Sequence, residues 1–234
     1  MPITVICGHY GCGKTNLALN LALEAVGDGP ATQGTTVTQG TAVTQGTTVT
    51  LVDLDIVNPY FRSSDYAAIL KNKGVRLIAP VFAGTTLDTP TLPPEIQSVF
   101  IPEAGRVFID AGGDDAGATA LGGLSPGLIK AGYELIYVIN RYRVLSQTPE
   151  ECAALLSEIE GAARLRASGI VNNSHLGVET KMEHVLDALD FAKRTAELTG
   201  LPLLYSTVPD FALNGEEPPE GFRTVGRLVK FAWE

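Results

Sequence analysis

Residues 8–15 read Gly8-His9-Tyr10-Gly11-Cys12-Gly13-Lys14-Thr15, which fits glycine, four residues, glycine, lysine and a hydroxyl. That spacing can hold phosphate. Glycines let main-chain N–H groups turn inward around an anion, and a helix opening at the lysine adds its positive dipole end. Lys14 would reach the β- and γ-phosphates, and the Thr15 hydroxyl would bind Mg2+. The candidate nucleotide-contacting residues here are Gly8, Gly11, Cys12, Gly13, Lys14, Thr15 and Asn16. A chance glycine turn is the competing reading. It is answered by context, because the motif follows the apolar run Ile3–Cys7 and precedes a helical pattern.

Acids form the second group. The run Leu51-Val52-Asp53-Leu54-Asp55 sets two carboxylates two residues apart, on one face of a strand. The stretch Val107-Phe108-Ile109-Asp110-Ala111-Gly112-Gly113-Asp114-Asp115 is an apolar strand ending in an acid, the Walker B pattern. Its Asp110-x-x-Gly113 spacing suits a loop that senses the γ-phosphate. Strand-end acids can also be merely solvated. His175 and His184 are isolated and read as structural, and Arg141 and Arg143 as solvated surface residues or charge-stabilising fingers.

The elements that must position these residues follow from the alternation of short apolar runs with helical patterns, the mark of βα units on a mostly parallel sheet. Strands are expected at Ile3–Cys7, Val49–Leu54, Val75–Ala79, Arg106–Asp110, Glu134–Ile139, Gly169–Val171 and Leu203–Val208. Helices are expected at Lys14–Val26, Pro149–Gly161 and Thr180–Thr199, with a closing amphipathic helix at Phe222–Trp233. That last helix reads as sheet cover, with a basic membrane-surface tail as the alternative. Residues 80–105, rich in Pro and Thr, read as a loop with a short helix near Pro94–Phe100. The fold class is thus α/β: a central, mostly parallel sheet with helices on both faces, as one domain spanning 1–234. Residues 32–49 interrupt it with three near-identical hexapeptides, TQGTTV, TQGTAV and TQGTTV. They read as a duplication lengthening one loop, which costs little because loop-closure entropy grows only logarithmically.

Composition excludes several classes. A formal charge of −9 disfavours nucleic-acid binding, which needs a basic surface. Three cysteines, without CxxC or zinc-ligand spacing, indicate neither a disulfide framework nor a zinc site. No apolar run reaches the roughly 18 residues of a membrane span, and no secretory leader is evident, so a cytoplasmic location is expected.

Together, the phosphate loop, the Asp53-x-Asp55 strand end and the Asp110-x-x-Gly113 switch resemble the MinD/ParA/CobQ-CobB (SIMIBI) class of P-loop nucleoside triphosphatases. The resemblance implies that Asp55 positions the attacking water and that Asp110 lies on the Mg2+ water shell, with Asp53 beside it at the metal. Asp114 matches a further acid after the switch. The catalytic candidates are therefore Lys14, Asp55 and Asp114, and the metal candidates Thr15, Asp53 and Asp110. Asn172 at one strand end, and Pro209 with Asp210 at another, resemble adenine- and ribose-side contacts. In that class the loop often carries a lysine that reaches across a dimer. Here His9 stands in its place and Tyr10 replaces a glycine, so a nucleotide-bridged homodimer is in question. Gly117 stands where the iron protein of the class has a cluster cysteine.

Three functions follow as expectations. One is a Mg-dependent ATPase switch read by a partner protein. Another is an ATP-dependent synthetase or amidase that activates a small carboxylate substrate. The third is a regulatory module that holds nucleotide with little turnover. ATP is expected over GTP, because Asn140-Arg141-Tyr142-Arg143 is not the guanine-reading N-K-x-D.

Overall fold

The computed structural model describes residues 3–27, 48–55, 63–80, 93–101, 104–113 and 115–229. Among the described residues eight strands lie in one sheet: β1 (Ile3–Gly8), β2 (Val49–Leu54), β3 (Val75–Ile78), β4 (Arg106–Ala111), β5 (Tyr133–Ile139), β6 (Gly169–Asn172), β7 (Leu203–Pro209) and β8 (Phe222–Val225). Their spatial order is β3-β2-β4-β1-β5-β6-β7-β8, and every pairing is parallel. The helices are α1 (Lys14–Ala25), α2 (Ala67–Asn72), α3 (Asp115–Ala131), α4 (Pro149–Ala163), α5 (Met182–Asp187) and α6 (Leu189–Thr199). Because parallel strands need crossovers, helices cover both faces, and the strands are apolar almost throughout.

Two cores result. Alternate residues of the central strands, such as Val5, Cys7, Ile109, Leu135 and Tyr137, pack on one face with Leu121, Leu128, Leu156 and Phe191 of α3, α4 and α6. The intervening residues Ile6, Leu51, Phe108, Ile136 and Val138 pack on the other with Leu17, Ala18 and Leu21 of α1. By this alternation, Asp53, Asp55 and Asp110 follow Leu51 and Phe108 onto the α1 side. Period two thus places the acids under the helix that the phosphate loop begins.

Two expectations are corrected, and helices form where the sequence suggested none. Over its described part, 222–229, the closing helix expected at Phe222–Trp233 is not formed: Phe222–Val225 is β8, paired with β7. The chain then runs on as 226–229 without helix, because α1 side chains capture its main chain. Asn20 Nδ2 and Asn16 Nδ2 donate to the Gly226 carbonyl (2.9 and 3.1 Å), and Asn16 Oδ1 accepts from Leu228 and Val229 N–H. Thr180–Thr199 is not one helix but α5 and α6, broken at Ala188. At that break the Asp187 carbonyl accepts from the Arg141 guanidinium instead of an amide. Finally, α3 carries Gly117, Gly122, Gly123, Pro126 and Gly127 and was not expected at all. Packing overrides its low helix propensity. Leu121, Leu124 and Leu128 share its buried stripe, and a side chain at Gly122 would stand 2.5 Å from the Ala162 carbonyl of α4.

The short helix at Pro94–Phe100 is present as a 3-10 helix. The hexapeptides of 32–49 lie almost wholly outside the described residues, as do Asp114 and most of the 80–105 loop. Among the described residues no helix is long and apolar enough to cross a membrane.

Candidate functional site

The site lies at the carboxyl ends of β1, β2 and β4, where parallel α/β sheets bind ligands. β1 runs straight into the phosphate loop. Gly13 takes φ +87° as the residue before α1, and a Cβ there would collide with the Asn173 amide. Only glycine meets both conditions. Lys14 is buried, and its Nζ donates to the His9 carbonyl at 2.9 Å. Gly113, the glycine of the switch spacing, lies against this loop: a Cβ on it would stand 2.6 Å from Lys14 Nζ and 2.7 Å from Tyr10 N. The segment after β4 thus begins against the lysine.

Asp53 and Asp110 are register partners on β2 and β4, both essentially inaccessible to solvent. Asp53 accepts from the main chain of Asp55 and Ser64, at 3.0 Å each. Asp110 accepts from Ser63 Oγ at 2.7 Å. Burial pushes the Asp110 carboxyl up to about 7, with the Asp53 charge adding to the rise; Ser63, Lys14 and Thr15 oppose it. Burial likewise raises Asp53.

The donor set around Thr15 is therefore oxygen only, with two buried carboxylates lacking full counter-charge, which suits a hard cation such as Mg2+. Among the described residues no group of three or more His, Cys, Asp or Glu side chains could hold a metal ion by itself. Mg2+ characteristically completes its shell with waters and ligand phosphates.

Asp110→Asn tests this electrostatic picture. The folded chain holds the Asp110 proton up to about pH 7, whereas an ordinary carboxyl loses it near 4. The Asp110 contribution to wild-type stability therefore falls as pH rises from about 4 to about 7 and is level above that. Asn carries no such penalty. The nucleotide-free variant should be more stable than wild type by about 1–3 kcal/mol at pH 8, with the gap closing towards pH 4. Urea denaturation at both pH values measures it; a variant less stable than wild type at pH 8 contradicts it.

A cavity of about 390 Å³ opens beside the loop, lined by Gly11, Gly13, Lys14, Thr15 and Asp55 together with Pro209, Phe211, Val225 and Gly226. That size suits a small-molecule ligand. Asn16 also lines it, with its amide committed to the 226–229 segment. Gly8 ends β1 and packs on the Val138 carbonyl, and Cys12 is buried with its thiol pushed up by desolvation. Neither side of the loop exposes these two residues to the cavity lining.

The strand-end asparagines are arranged otherwise than the sequence suggested. Asn172 is not brought to the cavity. Its Nδ2 donates to Ser206 Oγ, and its Oδ1 accepts from the Ser174 hydroxyl. Asn173 faces the loop instead: its Nδ2 donates to the Cys12 carbonyl at 2.7 Å, and its Oδ1 accepts from Thr207. Alternation could have found this, since Asn173 shares the face of Val171 on the α1 side. Pro209 lines the cavity, whereas Asp210 turns back to accept from Phe211 N–H at 2.7 Å. His175, pushed down to about 4 by burial with Arg143 adding to it, is a neutral neighbour of Gly13. His9 is also held below its usual value, by burial and then Lys14. A neutral imidazole thus stands where the resembling class has a lysine.

No protein-family model matches the sequence, and no curated protein does. Solved structures do match. The chain is similar to the cell division protein FtsY of Thermotoga maritima, with TM-score 0.56 and 17% identity over 89% of this chain and 62% of that one. It is also similar to the signal recognition particle receptor FtsY of Elizabethkingia anophelis, with TM-score 0.50 and 14% identity over 88% of this chain and 58% of that one. The chain has the α/β P-loop NTPase fold. It spans less than two thirds of the length of either FtsY chain, and at such identities the likeness concerns the fold.

Proposed function

We propose that this P-loop NTPase-fold chain binds Mg-ATP, hydrolyses it slowly, and offers the Asp110–Asp115 loop to a partner protein as a nucleotide-dependent switch of the MinD/ParA/CobQ-CobB kind. The observation that carries the reading is the convergence of Lys14, Thr15, Asp53, Asp55, Asp110 and Gly113 on one end of the sheet. Loop amides and Lys14 hold the phosphates. Thr15, Asp53 and Asp110 would hold Mg2+, directly or through its waters, and the ion would neutralise charge on the transferring phosphoryl group. Asp55, at the cavity wall, orients a water towards the γ-phosphate. Gly113 brings the γ-phosphate state to the segment that follows it, where Asp114 is a further acid; the partner reads that segment. The expected location is cytoplasmic.

The reading is tested by phosphate release from Mg-ATP with no added substrate. Slow turnover that stops with EDTA supports it; tight binding without turnover would recast the chain as a nucleotide-binding module.

ATP is the preferred base, although Asn172 is not the reader. Guanine presents N1 and N2 donors that need an acceptor, usually an acid. Among the described cavity-lining residues the one carboxylate is Asp55, which this reading assigns to the attacking water. Burying guanine there leaves donors unpaired, at about 1–3 kcal/mol per group, which corresponds to roughly five- to over a hundred-fold. In competition against labelled ATP, unlabelled GTP should displace at a correspondingly higher concentration. Equal displacement would refute the base assignment while leaving the phosphate site standing.

A further inference from the structure

Arg143 lies where a surface arginine would not. It lines the cavity together with Gly11, Gly13, Lys14 and Thr15. Its Nε and guanidinium carbon stand 3.5 and 3.9 Å from where a side chain on Gly11 would begin, so the cation flanks the phosphate loop itself. Its Nε is buried and has no hydrogen-bond partner. Among the described residues it makes no ion pair. Other arginines are committed: Arg141 to the Asp187 carbonyl, Arg164 to the Gly122 carbonyl, Arg166 to Glu160 and Arg223 to Glu24. A guanidinium is a planar fork of five donors that matches phosphate oxygens, and a buried donor left unpaired in a cavity calls for a ligand.

The residue is also firmly mounted. Asn140, at the end of β5, is fully buried, and its carbonyl accepts from Arg143 N–H (3.2 Å) and Ser146 Oγ (3.1 Å). Asn140 Oδ1 accepts from Tyr142 N–H at 3.0 Å, and Ser174 Oγ accepts from Arg141 N–H at 3.0 Å. The turn carrying Arg143 is thereby tied to β5 and to the loop after β6. An ionisable neighbour, His175, accepts from Gly177 N–H through Nδ1 and is uncharged. The positive charge beside Gly11 therefore belongs to Arg143.

We infer that Arg143 is a catalytic residue of this chain, meeting the γ-phosphoryl group of the nucleotide from within the same subunit and neutralising the charge that develops as that group is transferred. The inference rests on the nucleotide reading of the site. In the step concerned, the water oxygen bonds to the γ-phosphorus as the bond from phosphorus to the β–γ bridging oxygen breaks. The bonding electron pair leaves on ADP; one water proton stays on the released phosphate and the other passes to solvent. Arg143 takes no proton and forms no bond. It meets the growing negative charge with fixed donors, as preorganised electrostatic catalysis requires. A cation supplied in this way needs no second subunit, and none is supplied by the neutral His9.

The test compares wild type, Arg143→Ala and Arg143→Lys in three measurements: Mg-ATP turnover, Mg-ADP affinity, and affinity for Mg-ADP with aluminium fluoride, which imitates the transferring phosphoryl group. For Arg143→Ala, turnover and aluminium-fluoride affinity should each fall at least about a hundredfold, with Mg-ADP affinity within about threefold. Arg143→Lys keeps the charge and loses the fork, and should fall between the two. Wild-type turnover per chain should not change on dilution. Three results overturn the inference: Arg143→Ala turnover within about threefold of wild type, equal losses of ADP and aluminium-fluoride affinity with a lowered melting temperature, or turnover per chain that rises with protein concentration. A wild-type chain that binds no nucleotide would instead refute the nucleotide reading on which the inference rests.

Discussion

Lys14→Ala is expected to weaken Mg-ATP binding at least about a hundredfold, which corresponds to about 2.7 kcal/mol, and to abolish hydrolysis. The lysine is buried against its own loop, with Nζ on the His9 carbonyl. Ligand oxygens would replace that weak partner with charged ones, and hydrogen bonds between ions are roughly twice as strong as neutral ones. Without ligand, little is lost. One buried carbonyl loses one donor, worth about 1 kcal/mol, or a shift of roughly 2–4 °C in a domain of this size. The variant should therefore keep its melting transition and lose its ligand. Calorimetry beside thermal denaturation separates the two, and unchanged ATP affinity in a folded variant would remove the lysine from the site.

Asp55→Asn has the opposite signature. The substitution keeps shape and leaves the Asp55 N–H on Asp53 Oδ1 in place. Mg-ATP affinity should stay within a few-fold. Turnover should fall about a hundredfold or more, because a group that orients or deprotonates water acts mainly in the transition state. Turnover within a few-fold of wild type would make Asp55 an ordinary wall residue and turn attention to Asp114. Single-turnover measurements with saturating enzyme distinguish a loss of chemistry from a loss of binding.

Where the sequence was readable, the determinants were local. The phosphate loop is a run of consecutive residues whose glycines and lysine act within one turn, so its place between β1 and α1 follows directly from spacing. The shared face of Asp53, Asp55 and Asp110 follows from period two on strands that alternate between two cores. Where reading failed, a distant partner decided. β8 and the 226–229 segment depend on Asn16 and Asn20, some two hundred residues earlier; the spacing of Phe222, Val225 and Val229 is helical, and in the extended chain Phe222 packs with Val208 while Val225 and Val229 join the α1-side core. α3 is written in glycines that normally break helices, and its reason is the close approach of α4 at Gly122 and of the Phe100 ring at Gly127. The choice between Asn172 and Asn173 turns on one step of alternation at a strand end. Nothing in the sequence distinguishes Arg143 from Arg141; only the fold of the turn after β5 sends one to the phosphate loop and the other to α5.

The central claim is that this cavity is a Mg-nucleotide site built on Lys14 and the buried acids. It is tested most directly by titrating the full chain with a slowly hydrolysed ATP analogue in calorimetry, with Mg2+ and again with EDTA. The account predicts saturable binding of one nucleotide per chain, markedly weakened by EDTA, because Asp53 and Asp110 then face the phosphates without a cation between them. No saturable heat at millimolar analogue, or affinity indifferent to Mg2+, would contradict it.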